Sequence, residues 1–398
     1  MKNVKLEYSS LRFFALFLSG VFSCLGRWDG VFFSKTVMAV GVAIPVIICF
    51  ILFLKENRIH CLDFLGWYGL FFLFLLFSWT YTANIVDPEI MVRRCFFVFL
   101  IGAIISQLTR NKYDLVILMK GIIAGALLTV IVVFIVEFQF IGSDRIGKIV
   151  CGGATAFASI VLISFWCSLY LFLFTREIKY LLIICFFDIA IALTGSRMPL
   201  LISIGSIAAA YFLWAPNLFQ KIKRVFFVFV FLGIFFHSLL NVPLLYDIIG
   251  YRMETMISAL GSAKDLESDS SIKTRTAMKE EAILLWKSAP LLGHGVNSFW
   301  FLSPVVAGRS TSHCGFTEIL CSFGLVGFVL YYWHWFWIII SKAWLNIKTR
   351  NKEPSLFAVI ATMLFVMEWQ TTSFQLATTV AFLGVLFKIL KGPKQFGF

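Results

Sequence analysis

Four arginines, Arg145, Arg197, Arg252 and Arg275, and one histidine, His313, stand in the short polar intervals of a chain that is otherwise almost continuously apolar. A guanidinium presents a rigid fork of donors that can grip a phosphate at two points, so several at one face suit a diphosphate. An imidazole titrates near neutrality and can take a proton from a hydroxyl. Together these residue types point to holding a polyanion and moving a proton beside it. His294, Arg309 and Glu318 lie close by in sequence as candidates for support. Charge at the edge of hydrocarbon is costly unless paired or wetted, so such a cluster calls for a reason.

The spacing around each candidate says what must position it. TRTAMKEEAILLWK, Thr274 to Lys287, has the pattern of an amphipathic helix capped by Thr274 and stopped by Pro290. At 100° per residue Arg275 falls within about 20° of Ala282 and Trp286, on the apolar face. An arginine there either snorkels to water or aims at an anionic group. LLGHGVNSFW follows, and the two glycines around His294 serve a tight bend whether or not the ring binds anything. On one continuous helix His313 shares a face with Thr317, Leu320, Gly324 and Gly327, whose small members predict close approach by another helix. Glu318 sits about 140° around that helix from His313, which argues against a direct pair. Earlier, SDRIGK (Ser143 to Lys148) precedes the small-residue run GGATAFA, and TGSRMP (Thr194 to Pro199) breaks an apolar hairpin with Arg197 at its tip.

The supporting frame is a membrane one. The chain is 60% hydrophobic and 14% charged, with 46 Phe in 398 residues, well away from soluble averages. Apolar runs of roughly 17 to 25 residues predict membrane spans. They fall at 11–27, 32–54, 64–82, 92–109, 115–137, 150–174, 180–196, 198–215, 225–243, 314–340, 355–373 and 374–390. The expected fold is therefore all-α: a single polytopic domain, 1–398, of about twelve transmembrane helices. A large external loop, 244–313, carrying the amphipathic helix, separates the ninth span from the tenth. Lys and Arg crowd one set of span ends, including Lys2, Lys55, Arg110, Lys179, Lys223, Lys348 and Lys391, which predicts cytoplasmic termini. The first apolar run reads as a span rather than a cleaved leader. The formal charge of +13 is mostly this orientation signal, and no nucleic-acid-binding pattern accompanies it. Basic residues on the other side, Arg93, Arg94 and Lys148 among them, are not explained by orientation. The nine cysteines contain no CxxC pair and read as small buried apolar groups. No compact carboxylate set suggests a metal.

With these residues in view, the chain resembles the bacterial O-antigen ligase/polymerase superfamily. The likeness covers most of the chain in layout, and its most specific stretch starts at His313: a His, a polar residue, nine intervening positions, then Gly324-x-x-Gly327. Cys314 stands where that pattern usually has Asn. Glu318 matches an acidic position of the same segment, PLLGHG (Pro290 to Gly295) resembles its Gly-rich turn, and Arg145, Arg197 and Arg275 look like its arginines. The resemblance implies metal-independent, cofactor-free glycosyl transfer from undecaprenyl-diphosphate-linked oligosaccharide at the outer leaflet of the bacterial inner membrane. Under it, His313, Arg275 and Arg197 are the catalytic candidates, and Arg145, Arg197, Arg252 and Arg275 the diphosphate-binding ones. The texture from Gly315 to Tyr332 resembles the polymerase branch, which joins lipid-linked repeats. The ligase branch, which transfers a finished chain to lipid A-core, is the alternative. Polymerase kinship further implies work beside a repeat-unit flippase and a chain-length regulator. A transporter is the rival from another class; Asp188 would be its buried acid, but no convincing internal repeat supports it.

Overall fold

The computed structural model describes residues 2–25, 35–141, 145–213, 218–243, 246, 250, 254, 270–303, 311–343 and 352–393. Among them the regular structure is entirely helical. In chain order the principal helices are α1 (Lys2–Leu25), α2 (Lys35–Glu56), α3 (Leu62–Tyr81), α4 (Pro88–Leu108) and α5 (Lys112–Val136). Then come α6 (Ala154–Thr175), α7 (Ile178–Leu193), α8 (Arg197–Leu213), α9 (Leu218–Asn241) and α10 (Ser270–Ser288). The last are α11 (Ser298–Leu302), α12 (Gly315–Trp337), α13 (Lys352–Met367) and α14 (Ala377–Lys391). Each of the twelve expected apolar runs falls on one of these helices. Among the described residues, four segments are long and apolar enough to cross a membrane: Leu62–Tyr81, Lys112–Val136, Ala154–Thr175 and Gly315–Ile340. A helix, α10, covers the expected 274–287 segment and begins a turn before Thr274, at Ser270.

Small residues let the helix backbones meet where hydrocarbon supplies no hydrophobic drive. A Cβ on Gly121 of α5 would lie 2.3 Å from the Phe17 carbonyl oxygen of α1, and one on Gly125 2.7 Å from that of Val21. Aromatic packing ties α3 to α12. Trp67 and Tyr68, both buried, sit in a π-turn of α3; Trp67 Nε1 donates to the Tyr331 carbonyl at 2.7 Å and Tyr68 Oη to that of Phe374 at 2.7 Å. The outside stays apolar: Ile135, Phe219 and Ile234 are more than 60% exposed, a surface that suits lipid better than water.

One end of the bundle is closed by ion pairs. Arg12 meets Asp114 at 3.1 Å, Arg110 meets Glu56 at 2.5 Å, Lys112 meets Glu353 at 2.6 Å and Lys391 meets Asp63 at 2.5 Å. Lys388 adds bonds to the carbonyls of Ser106 and Thr109 at 3.1 and 2.7 Å. These contacts join α1, α2, α3, α4, α5, α13 and α14.

At the other end α12 is not one continuous helix. Gly324 has φ 62° and ψ −164°, a conformation essentially confined to glycine. The turn Pro290–Gly295 fills the break. Leu325 N and Val326 N donate to the carbonyls of Pro290 and Leu291 at 2.9 and 3.1 Å, and His294 N and Gly295 N donate to those of Cys321 and Ser322 at 3.0 and 2.8 Å. Four backbone groups freed by the break thus find partners in the turn, as irregular backbone inside a membrane protein requires. A Cβ on Gly324 would lie 2.3 Å from the Leu291 oxygen, and one on Gly293 2.6 Å from Gly324 N. This corrects the expectation of a smooth small-residue face running from His313 to Gly327. What approaches Gly324 is this turn, not another helix.

Candidate functional site

The segment that enters the break is also tied to α3. Thr82 Oγ1 donates to the Val296 carbonyl at 2.7 Å, Asn84 Nδ2 to that of Asn297 at 3.1 Å, and Tyr81 Oη to that of Leu292 at 2.9 Å. Its own next residues form α11. Above it, α10 packs Met278 and Ala282, both buried, against Phe299 and Cys321. Helical spacing carries Arg275 from that same face, one turn earlier, into a cavity of about 510 Å³.

The cavity gathers basic side chains from four elements: Arg94 of α4, Arg145 and Lys148 of the connection before α6, Arg275 of α10, and His313 just ahead of α12. No Asp or Glu is among the described residues that line it. Gly152, Gly153 and Ala154 add a side-chain-poor floor at the start of α6. Neutral polar groups complete the lining, notably Asn297, Thr311, Gln370, Thr371, Thr372 and Gln375, with Trp300 beside them.

Arg145 and Lys148 are placed by a carboxylate. Glu137 ends α5 fully buried, and its two oxygens accept from the backbone N–H groups of Gly147 (2.6 Å), Lys148 (3.2 Å), Ile149 (3.0 Å) and Val150 (3.0 Å). Four donors on one carboxylate satisfy its lone pairs and lock the connection around it. Gly147, at φ 88°, lets the chain turn where a Cβ would meet the Phe157 Cβ at 2.5 Å. Arg145 then reaches across to the hairpin between α7 and α8, donating from Nε to the Thr194 carbonyl and from Nη2 to Ser196 Oγ, each at 2.8 Å.

His313 has φ 54°, uncommon for a residue with a side chain. Glu318 holds the turn it occupies. The Glu318 Oε2 accepts from Ser312 N at 2.7 Å, and Thr317 Oγ1 donates to Ser312 Oγ at 3.0 Å. Glu318 is wholly buried and outside the cavity, so it braces the His313 turn rather than facing the same space. Burial, then the positive charge of Arg275, Arg145 and Lys279, holds the His313 imidazole down at about 4. It is a neutral ring near physiological pH, able to accept a hydrogen bond or a proton. Burial likewise lowers the Lys279 ammonium, and the neighbouring Arg275 adds to that.

Other expected site residues stand apart. Arg197 opens α8 beside the hairpin that Arg145 grips and does not line the cavity. His294 does not line it either: its Nε2 donates to the Leu285 carbonyl at 2.9 Å and lies 3.0 Å from Ser288 Oγ, clamping the end of α10 to the turn. Asp188, within α7, is not part of the cavity. Arg252 and Arg309 lie outside the described residues.

Several lining residues carried little sequence signal. Arg94 stood out only as one of the basic residues that orientation does not explain. Gln370 to Gln375 read only as the turn between two apolar runs. That turn is rigid: the Glu368 carbonyl accepts from Gly315 N at 2.7 Å, Tyr332 Oη donates to Glu368 Oε2 at 2.8 Å, and Tyr331 Oη lies 3.1 Å from Ser373 Oγ. Gln375 is only 5% exposed, and its Nε2 has no hydrogen-bond partner among the described atoms. A buried donor left so costs roughly 1–3 kcal/mol.

Fold and cavity define an all-helical membrane protein with a basic, mostly neutral-walled site at one end of its bundle. Residues 180–332 match the family described as O-antigen ligase. The match spans Arg197, Arg275, the turn at His294, His313 and the Gly324 break, and leaves Arg94, Arg145, Lys148 and Gln375 outside. It supports the O-antigen ligase/polymerase superfamily and, at that level, O-antigen-related glycosyl transfer. No curated protein matches the chain closely enough to serve as a relative.

Proposed function

We propose that the protein polymerises undecaprenyl-diphosphate-linked oligosaccharide repeats, transferring the growing chain from its carrier to the next lipid-linked repeat. The observation that carries this reading is the cavity gathering Arg94, Arg145, Lys148, Arg275 and His313. In the proposed topology all twelve apolar helices cross the inner membrane, both termini are cytoplasmic, and 244–313 is periplasmic. The cavity then opens at the outer leaflet, where the carrier's diphosphate lies. A repeat-unit flippase would supply the substrate and a chain-length regulator would act beside it.

In the transfer, an acceptor hydroxyl oxygen attacks the anomeric carbon of the donor chain. The bond from that carbon to the phosphate oxygen breaks, and its electron pair leaves with undecaprenyl diphosphate. Arg145 and Arg275 stabilise the charge that grows on the leaving group, in a site where water is scarce and such contacts are strong. In the proposal these fixed cations serve without a metal. His313 takes the hydroxyl proton. Burial first, and the nearby cations second, make its ring a weak base, but two phosphates brought among those cations oppose their field and raise its proton affinity. The base is thereby strengthened when substrate is bound. Arg197 and Glu318 act from behind, through the hairpin that Arg145 holds and the turn that carries His313.

The polymerase reading draws on the resemblance of the Gly315–Tyr332 stretch; the family match is common to polymerase and ligase, and the ligase is the second reading. Purified protein given defined undecaprenyl-diphosphate-linked repeats separates them. A ladder of lipid-linked products growing by whole repeats, lost in Arg275→Ala and His313→Ala, supports polymerase. Transfer only to added lipid A-core supports ligase, and no bond formation by folded protein with either acceptor rejects both.

A further inference from the structure

The cavity offers two chemistries within one small space. Arg145, Lys148 and Arg275 supply fixed positive charge, while the connection between α13 and α14 supplies amides and hydroxyls without charge. Within that connection Gln375 stands out. It lines the cavity, is 5% exposed, and its Nε2 is buried without an acceptor. The backbone around it is fixed and cannot swing to find one. Tyr68 Oη binds the Phe374 carbonyl at 2.7 Å, and Leu376 N closes a turn onto the Ser373 carbonyl at 2.8 Å. Gln370 and Thr372 add further donors and acceptors, and Trp300 brings a flat apolar face. This is the chemistry that recognises a pyranose ring: polar groups for its hydroxyls and an aromatic surface for its C–H face.

We propose that Gln375, with Gln370, Thr372 and Trp300, forms the subsite for the sugar joined directly to the carrier diphosphate, and so selects which lipid-linked sugar is used. The proposal rests on the diphosphate reading given above. An amide side chain in the cavity wall, carried on backbone held by Tyr68, rewards a ligand that brings hydroxyls over one that does not.

The test uses purified full-length protein and the shift of its thermal midpoint with ligand. The probes are undecaprenyl diphosphate alone and the same carrier bearing one hexose or one N-acetylhexosamine. Wild type is expected to bind one sugar-bearing carrier at least about tenfold more tightly than the bare carrier, a difference of about 1.4 kcal/mol. Gln375→Met keeps the length of the side chain and removes the donor. It is expected to bind the bare carrier as wild type does and to lose the preference, and retained bare-carrier binding shows that it is folded. Gln375→Ala answers the same question if the methionine variant does not fold. A wild type that binds bare and sugar-bearing carriers equally, or a Gln375 variant that keeps the preference, overturns the subsite and leaves the diphosphate reading standing. A folded wild type that binds none of the probes overturns the diphosphate reading, and the subsite with it.

Discussion

The two ends of the bundle use charge in opposite ways. At the end holding Arg110, cations meet carboxylates: Arg12 with Asp114, Arg110 with Glu56, Lys112 with Glu353, Lys391 with Asp63. Each pair joins separate parts of the bundle, so the charge is used up in holding them together. At the end holding His313, the carboxylates stay behind the cavity wall and shape it. Glu137 binds four backbone amides and Glu318 braces a turn, while Arg94, Arg145, Lys148 and Arg275 line the space itself. Basic composition alone therefore says little about function. What distinguishes a structural cation from a ligand-binding one is where the neighbouring carboxylate spends its lone pairs.

Substitutions at the two ends sharpen that contrast. The largest expected effect is from His313→Ala, which removes the proposed proton acceptor and should lower kcat by about 10²–10⁴ while leaving carrier binding nearly intact. Single-turnover transfer compared with carrier affinity checks this. Arg275→Ala should cost about 10²–10³ in kcat/KM, as removal of one charge-stabilising donor does elsewhere. Arg110→Ala, at the opposite end, should lower the thermal midpoint and leave kcat/KM per folded molecule unchanged; a loss of chemistry there would break the comparison. Gly324→Ala should destabilise by roughly 1–3 kcal/mol from backbone strain, before the clash with Leu291 is counted. Thermal unfolding reports it. Glu137→Gln keeps the shape but weakens four charge-assisted bonds, and about a tenfold loss of carrier affinity is expected through Arg145 and Lys148.

The pH profile gives a gentler test. With His313 held at about 4 by burial and by Arg275, Arg145 and Lys279, the ring stays neutral far below the usual histidine range. The acid limb of kcat/KM, which reports the free enzyme, should therefore lie near pH 4. Bound diphosphate raises that value, so the limb in kcat should sit higher. Arg275→Ala removes one opposing charge and should move the kcat/KM limb upward. The same shift has a stability sign. Between about pH 6.5 and 4 the unfolded state binds a proton that the folded ring refuses, so His313 makes stability fall as pH drops through that window.

Much of the frame was legible because the bilayer fixes element length: every expected apolar run falls on a helix. Arg275 was legible for a similar reason, since a 3.6-residue period set it on the same face as Met278 and Ala282. The Gly324 break was not. Gly-x-x-Gly suits both a smooth packing face and an interrupted helix, and here the choice depends on a turn some thirty residues earlier. His294 misled for the same reason, being the part of that turn that fastens α10. Glu137 looked like a mere span end because its four donors come from chain that returns to it after several residues. Gln375 had no local pattern at all, and Arg94 stood out only as a basic residue that orientation does not explain. They belong to the cavity only because helices distant in sequence bring them there, which periodicity cannot show.

The most direct test is the affinity of the purified protein for undecaprenyl diphosphate in wild type, Arg275→Ala and Arg110→Ala, each shown to be folded. The expected result is similar binding by wild type and Arg110→Ala, and at least a tenfold loss in Arg275→Ala. Equal affinity in all three, or a greater loss in Arg110→Ala than in Arg275→Ala, would contradict the assignment of the His313 end as the diphosphate site.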